Sequence, residues 1–276
     1  MKTIKFLSVL FIALSFASFK SSSNSMSSHN RSEKIVTENV TYNDGDTELK
    51  GVIFYDKTIK TKRPAILVIH EWWGNNDYAK HRAKMLAELG YVAMAIDMYG
   101  NGYIADNPKD AQENAGKYYT NPMLLKSRVQ AAYDVLIKNP KVNKDQISAM
   151  GYCFGGSVSL AAASLGIPLK TVVSVHGGLA GYQASPAMKD TKILICHGGS
   201  DAFVPQSDID NFHNQMKKNG NIYEFKVYPG ATHAFSNVES TEAGKKFNMP
   251  IAYNEAADKQ SWQDMLTFFG KYFPAK

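Results

Sequence analysis

Gly151-Tyr-Cys-Phe-Gly-Gly156 joins an apolar run at 146–152, which predicts a buried strand, to a run of small residues at 155–165, which predicts a helix. A nucleophile flanked by glycines is typical of a sharp strand-to-helix turn, because the glycines let strand and helix approach closely. Cys153 holds the nucleophile position at the helix N-terminus, where the helix dipole favours a thiolate. A single cysteine is most often a small core residue, but this context favours a nucleophile.

Strands and helices alternate on both sides of this turn. Apolar runs at 65–70 and 91–96 enclose a helix predicted over 77–89, and such a strand–helix–strand unit implies a parallel sheet. No repeat and no linker follows residue 33. The sequence therefore predicts one α/β domain over residues 34–276, a mostly parallel sheet with helices on both faces. Further strands are predicted at 34–42, 51–55, 171–175, 192–196 and 222–228, and further helices at 124–137, 205–218 and 254–272.

An acid and a base follow the nucleophile in the order that this kind of turn requires. Asp201 comes after the strand predicted at 192–196, and His233 comes after the strand predicted at 222–228. A histidine there can act as general base and acid, while the aspartate fixes its tautomer and stabilises the imidazolium. Taken alone, Asp201 is more simply explained as a turn cap, and His233 as a surface histidine. The ordered set at three strand ends favours a Cys153–His233–Asp201 triad.

His70-Glu-Trp-Trp-Gly74 ends the first buried strand at the same edge of the sheet. We expect the backbone N–H groups of Trp72 and Phe154 to form an oxyanion hole. Glu71 is unusual there. Desolvation is expected to raise the pKa of its carboxyl, which could hold the Cys153 thiol by a hydrogen bond and accept its proton.

The chain resembles the dienelactone hydrolase family of the α/β-hydrolase superfamily from about residue 35 to 273. The resemblance implies an α/β-hydrolase fold, the triad above, and a glutamate, Glu71, that pairs with the resting thiol until substrate displaces it. It is carried by His70-Glu-Trp-Trp-Gly74, Gly90-Tyr91, Asp97-Met-Tyr99, Gly151-Tyr-Cys-Phe-Gly-Gly156, Gly199-Ser-Asp-Ala-Phe-Val-Pro205 and Gly230-Ala-Thr-His-Ala-Phe235.

The chain departs from this family where dienelactone-cleaving members carry two arginines that bind the substrate carboxylate. Residues 100–102 and 236–238 contain no arginine here. A bidentate clamp for a carboxylate is therefore missing, and we expect neutral substrates rather than dienelactone unless a lysine such as Lys80 reaches the pocket. Aromatic residues are expected to line an apolar pocket, although such residues are as often plain core; the substrate-binding candidates are Trp73, Tyr99 and Tyr103.

The N-terminus has the order of a secretory signal. Lys2 and Lys5 precede an apolar run at 6–19, followed by small polar residues. We expect a signal peptide over residues 1–17, a disordered leader over 18–33, and a periplasmic or secreted mature protein. The apolar run is shorter than the roughly 20 residues that span a bilayer, so a retained membrane anchor is the less favoured alternative.

Composition excludes several other classes of protein. The 276 residues are 44% hydrophobic and 20% charged, as in packed globular proteins. The net charge of +6 comes from dispersed lysines, so we expect no nucleic-acid partner. Histidines at strand ends, His70, His176 and His197, lack the spacing of a metal motif, and we expect neither metal nor cofactor. A disulfide between Cys153 and Cys196 stays open at this point.

The sequence thus favours an exported, cysteine-dependent hydrolase of a small-molecule ester, lactone or thioester. We expect a monomer. A peptidase or acyltransferase on the same fold is an alternative within the enzymes, and a non-catalytic binding protein that kept the turn is an alternative outside them.

Overall fold

The computed structural model describes residues 34–275. The signal peptide predicted over 1–17 and the leader predicted over 18–33 lie outside these residues. The strands of the described part are β1 Ile35–Asp44, β2 Thr47–Asp56, β3 Arg63–Ile69, β4 Val92–Ile96, β5 Val142–Tyr152, β6 Thr171–Val175, β7 Lys192–Gly198 and β8 Tyr223–Tyr228. Its α-helices are α1 Asp77–Glu88, α2 Pro108–Thr120, α3 Pro122–Lys138, α4 Phe154–Ser164, α5 Gln206–Asn219, α6 Ser240–Phe247 and α7 Glu255–Tyr272.

The strands form one mixed sheet in the order β1-β2-β4-β3-β5-β6-β7-β8. The β1–β2 and β2–β4 pairs are antiparallel, and every pair from β4 to β8 is parallel. The predicted fold, a mostly parallel sheet in an α/β domain, is confirmed. Because parallel strands end at the same edge, the segments that follow β3, β5, β7 and β8 meet there.

Helices cover both faces of the sheet. Along β3, Leu67 and Ile69 pack into the core beneath α2, α3, α4 and α5, whereas Ile66 and Val68 pack into the core beneath α1 and α7. All four side chains are fully buried. The uninterrupted apolar run of this strand follows from burial on both faces, since neither face can carry polar residues.

Two helices, α2 and α6, were not predicted. Helix α2 buries only Ala111, Ala115 and Tyr118, and α6 buries only Ser240 and Gly244, so their apolar periodicity is weak. Capping is the signal that could have located α2: Asn107 accepts a hydrogen bond from the backbone of Asp110, and a proline opens the helix.

Gly155 permits a close approach between a helix and the sheet. A Cβ at this position would lie 2.1 Å from the carbonyl oxygen of Ile69. The N-terminus of α4 therefore packs directly on the end of β3, which any side chain would prevent. Within residues 34–275, no helix is long and apolar enough to cross a bilayer.

Candidate active site

Cys153 has the backbone conformation of a sharp turn between β5 and α4. Its φ of 53° and ψ of −117° lie in a region that residues with side chains rarely occupy. Two acceptors hold its N–H group: the carbonyl oxygen of Val175 and Nδ1 of His176, each at 3.0 Å. The turn directs a partly exposed thiol away from the core at the carboxyl edge of the sheet.

His233 joins the thiol to a buried carboxylate. Its Nε2 lies 3.0 Å from Sγ of Cys153, and its Nδ1 donates to Oδ2 of Asp201 at 2.8 Å. The other carboxylate oxygen of Asp201 accepts a hydrogen bond from the backbone of Phe203 at 2.9 Å. The structure thus brings together the three residues that the sequence singled out as a triad.

Electrostatics favour a charged histidine in this arrangement. Burial alone would lower the pKa of His233, but the adjacent Cys153 thiolate and the hydrogen bond with Asp201 outweigh burial and raise the pKa to about 10. The surroundings of His233 therefore favour its imidazolium form.

Glu71 is buried beside these residues, but its hydrogen-bond partner differs from the expected one. Its Oε2 accepts from the side-chain amide of Asn237 at 2.7 Å, whereas the thiol of Cys153 contacts His233. The expected pairing of Glu71 with the resting thiol was wrong for this structure. An amide N–H is a stronger donor than a thiol, and a buried carboxylate requires such a donor. Burial raises the pKa of Glu71 to about 7, although Asn237 opposes the change.

A buried polar network lies beneath Cys153. His176 accepts from the N–H of Cys153, and its Nε2 lies 2.8 Å from Oγ of Ser236. Burial holds the pKa of His176 well below its ordinary value, so the ring is neutral and its Nε2–H donates to Ser236. Ser236 Oγ lies 2.6 Å from the hydroxyl of Tyr78. The sequence had singled out His176 only as a strand-end residue; Ser236 and Asn237 entered it only as positions without arginine.

The oxyanion-hole candidates have free donors. Within residues 34–275, the N–H groups of Trp72 and Phe154 donate to no other protein group. Tyr99 supports the first of them, because its hydroxyl donates to the carbonyl of Trp72 at 2.7 Å and its ring packs edge-on against His70. These N–H groups can therefore bind an oxygen at which negative charge develops.

A cavity of about 900 Å³ opens over Cys153. Trp73 lines it, whereas Tyr99 and Tyr103 lie outside the lining, contrary to the expectation that they face the pocket. Tyr99 is turned toward the loop it supports, and Tyr103 is exposed and paired with Asp110. The main aromatic and apolar lining residues outside α4 are Trp72, Trp73, Ile104, Tyr118, Tyr119, Pro122, Leu125, Tyr182, Phe203, Phe247, Met249 and Ile251.

Acidic groups dominate the charge of the cavity. Glu71, Asp106 and Glu239 line it together with His233, and no lysine or arginine of the described chain does so. Lys80 pairs instead with Asp77 at 3.4 Å on the surface of α1. Among residues 34–275, no group of three or more His, Cys, Asp or Glu side chains is arranged so that it could hold a metal ion.

Cys196 lies too far away to form a disulfide with Cys153. Both cysteines are free. Tyr152 pairs with Val175 and Val175 with Cys196, so two strand spacings, roughly 9–10 Å, separate Cys196 from Tyr152, the residue before Cys153. This exceeds the roughly 7 Å between Cα atoms that a disulfide tolerates. Cys196 is fully buried, and burial raises the pKa of its thiol to about 12.

The stability of Glu71→Gln relative to the wild type is expected to increase as pH rises. Burial raises the pKa of Glu71 from 4.5 to about 7, so the folded state holds a proton that the unfolded state releases. The wild-type protein should therefore lose about 2 kcal/mol of stability relative to Glu71→Gln between pH 5 and pH 8. Urea unfolding at both pH values measures this difference.

Glu88→Gln, at an exposed position of α1, serves as the control and should show no such pH-dependent difference. Equal stability differences between Glu71→Gln and wild type at both pH values would contradict the burial argument.

Comparison with known proteins agrees with this architecture. The family model described as "Dienelactone hydrolase family" matches residues 49–273. A solved dienelactone hydrolase-like promiscuous phosphotriesterase from metagenomic libraries is 29% identical and superposes with a TM-score of 0.81, covering 87% of this chain and 99% of its own.

Two sequence relatives come from Aquifex species. Protein usf of Aquifex pyrophilus is 28% identical over 223 residues, which are 79% of this chain and 92% of that protein. A protein of Aquifex aeolicus with a provisional carboxymethylenebutenolidase name is 27% identical over the same length, with the same coverage. Since the family model spans most of the chain, the protein belongs to the dienelactone hydrolase family.

Proposed function

We propose that this protein hydrolyses neutral carboxylic esters, lactones or thioesters, with Cys153 as a covalent nucleophile. The observation that carries the proposal is the continuous contact from Sγ of Cys153 through His233 to Asp201, at 3.0 and 2.8 Å. The protein belongs to the dienelactone hydrolase family, and one relative carries the name of a carboxymethylenebutenolidase. Both observations support ester or lactone cleavage. The free N–H groups of Trp72 and Phe154 support acyl transfer.

Acylation begins when the Cys153 thiolate attacks the carbonyl carbon of the substrate and forms a C–S bond. The carbonyl oxygen takes the negative charge and accepts hydrogen bonds from Trp72 and Phe154. The C–O bond to the leaving group then breaks, and His233 gives its proton from Nε2 to the departing oxygen. A lactone opens in the same way, except that its hydroxyl stays attached to the acyl group.

Deacylation uses the same residues in reverse. Neutral His233 removes a proton from water, whose oxygen attacks the thioester carbonyl. The C–S bond breaks, Cys153 leaves as a thiolate, and the carboxylic acid departs. Asp201 holds the Nδ1–H of His233 throughout, so that Nε2 always faces the reacting atoms.

Cys153→Ala is expected to abolish turnover of p-nitrophenyl esters while leaving the melting temperature nearly unchanged, because the change removes a single partly exposed thiol. His233→Ala should lose activity on a similar scale, since triad members act as a unit. Release of p-nitrophenol measures this. A substantial fraction of wild-type activity in Cys153→Ala would place the nucleophile elsewhere.

Neutral esters should be better substrates than anionic ones. A carboxylate that enters the cavity meets Glu71, Asp106 and Glu239 and no cationic side chain of the lining other than His233, and an unpaired buried charge is costly. We expect kcat/KM for a neutral ester to exceed that of a carboxylate-bearing analogue of equal size by about tenfold to a hundredfold. A tenfold preference for the anionic analogue would show that a cation reaches the site.

We also propose that the mature protein is exported and begins near Ser18. The support is the order of charged, apolar and small residues over positions 1–23. Intact-mass measurement of protein purified from its native host should give a chain that lacks the first 17 residues. A soluble protein with the full-length mass would contradict export.

A further inference from the structure

Part of the cavity is lined by one face of helix α4, which leads away from Cys153. Residues spaced three and four apart on one face of this helix line it: Phe154, Ser157, Val158, Ala161 and Ser164. At 1.5 Å per residue, the lined face extends about 15 Å from the Cys153 end of the helix. We call this part of the cavity the α4 groove.

The walls of the α4 groove are largely apolar, and the two serines that α4 contributes have paired hydroxyls. Tyr118, Tyr119, Pro122 and Leu125 line it from α2, α3 and their junction, and the segment 178–183 lines its other side. The hydroxyl of Ser157 donates to the carbonyl of Gly178 at 2.9 Å, and that of Ser164 lies 3.2 Å from the hydroxyl of Tyr182. The groove therefore offers contact area to an apolar group and few unpaired donors.

The charges of the cavity lie elsewhere. The acidic lining residues Glu71, Asp106 and Glu239 belong neither to α4 nor to the wall at 118–125. The groove is also partly open, because Ala161 and Leu165 are half-buried and Ala180 is exposed. A flexible apolar chain can enter such a groove from solvent without desolvating a charged group.

Proton transfer fixes which part of an ester lies in the groove. The leaving oxygen must reach Nε2 of His233, whose ring packs against Phe203 with centroids 5.2 Å apart. The leaving group therefore lies on the His233 side of Cys153. The acyl chain, bonded to the same carbonyl carbon, must leave in another direction, and the α4 groove begins at Phe154 beside the oxyanion hole.

We propose that the α4 groove binds the acyl chain of the substrate, and that the preferred substrates are neutral esters or thioesters of linear acyl chains of about eight to twelve carbons. This inference rests on the proposed function for the choice of substrate. An extended chain advances about 1.2 Å per bond, so a groove of about 15 Å accommodates roughly twelve bonds.

The wild-type chain-length profile is the first test. With p-nitrophenyl esters from acetate to palmitate, kcat/KM should rise about twofold per added methylene up to about ten carbons. A twofold rise corresponds to about half the free energy gained when a methylene is completely buried. It should not rise further for longer chains. A preference for acetate or butyrate over decanoate would overturn the proposal.

Ala161→Trp tests the location of the chain. The new ring would lie about 10 Å along α4 from Phe154 and should lower the decanoate-to-acetate ratio of kcat/KM at least tenfold. Ala256→Trp, at an exposed position of α7, introduces the same side chain outside the cavity and should keep the wild-type ratio. An unchanged ratio in Ala161→Trp would place the chain elsewhere.

Binding to Cys153→Ala separates this inference from the proposed function, because it needs no turnover and no tryptophan substitution. Quenching of tryptophan fluorescence by the nitrophenyl group should show that p-nitrophenyl decanoate binds at least tenfold more tightly than the acetate. Equal affinities would overturn the groove whether or not the enzyme is active. Tight binding of decanoate without turnover in the wild type would support the groove and refute the hydrolase.

Discussion

Two hydrogen bonds to one backbone N–H hold the site in place. The N–H of Cys153 donates to Val175 and to His176, and these acceptors stabilise a backbone conformation that costs about 1–3 kcal/mol in isolation. In that conformation the thiol lies 3.0 Å from Nε2 of His233. Gly155 makes the turn sterically feasible, since its missing side chain lets α4 begin against the end of β3. The position of the Cys153 thiol is thus a property of the packed sheet rather than of the loop.

Buried charge is the second constraint. Asp201, His233 and Glu71 are all more than nine-tenths buried, and each has a partner that offsets desolvation: the carboxylate of Asp201 pairs with His233, and Glu71 pairs with Asn237. The pKa of Glu71, raised by burial to about 7, shows that the compensation there is partial. Such a carboxyl lowers stability at neutral pH, and it makes the cavity unsuited to a second negative charge. The absent arginines and the acidic lining therefore favour the same neutral substrates.

Much of this arrangement could be predicted from the sequence because the strands are buried on both faces. Continuous apolar runs located β3 and β4, and in a parallel sheet the residues directly after the strands meet at one edge. Asn237 could not be predicted, because its role depends on the contact between two loops 166 positions apart. The position of Tyr99 could not be predicted for the same reason. Its hydroxyl donates to the carbonyl of Trp72 and supports the loop that follows β3, so the side chain does not line the cavity.

The central claim is that Cys153 becomes acylated during turnover. Mixing the enzyme with p-nitrophenyl butyrate, quenching in acid within the first turnovers and mapping the peptides by mass spectrometry tests it most directly. The account predicts a butyryl group on the peptide that contains Cys153 and none on the peptide that contains Cys196. Turnover with Cys153 unmodified in the presence of a butyryl group on another residue would contradict it.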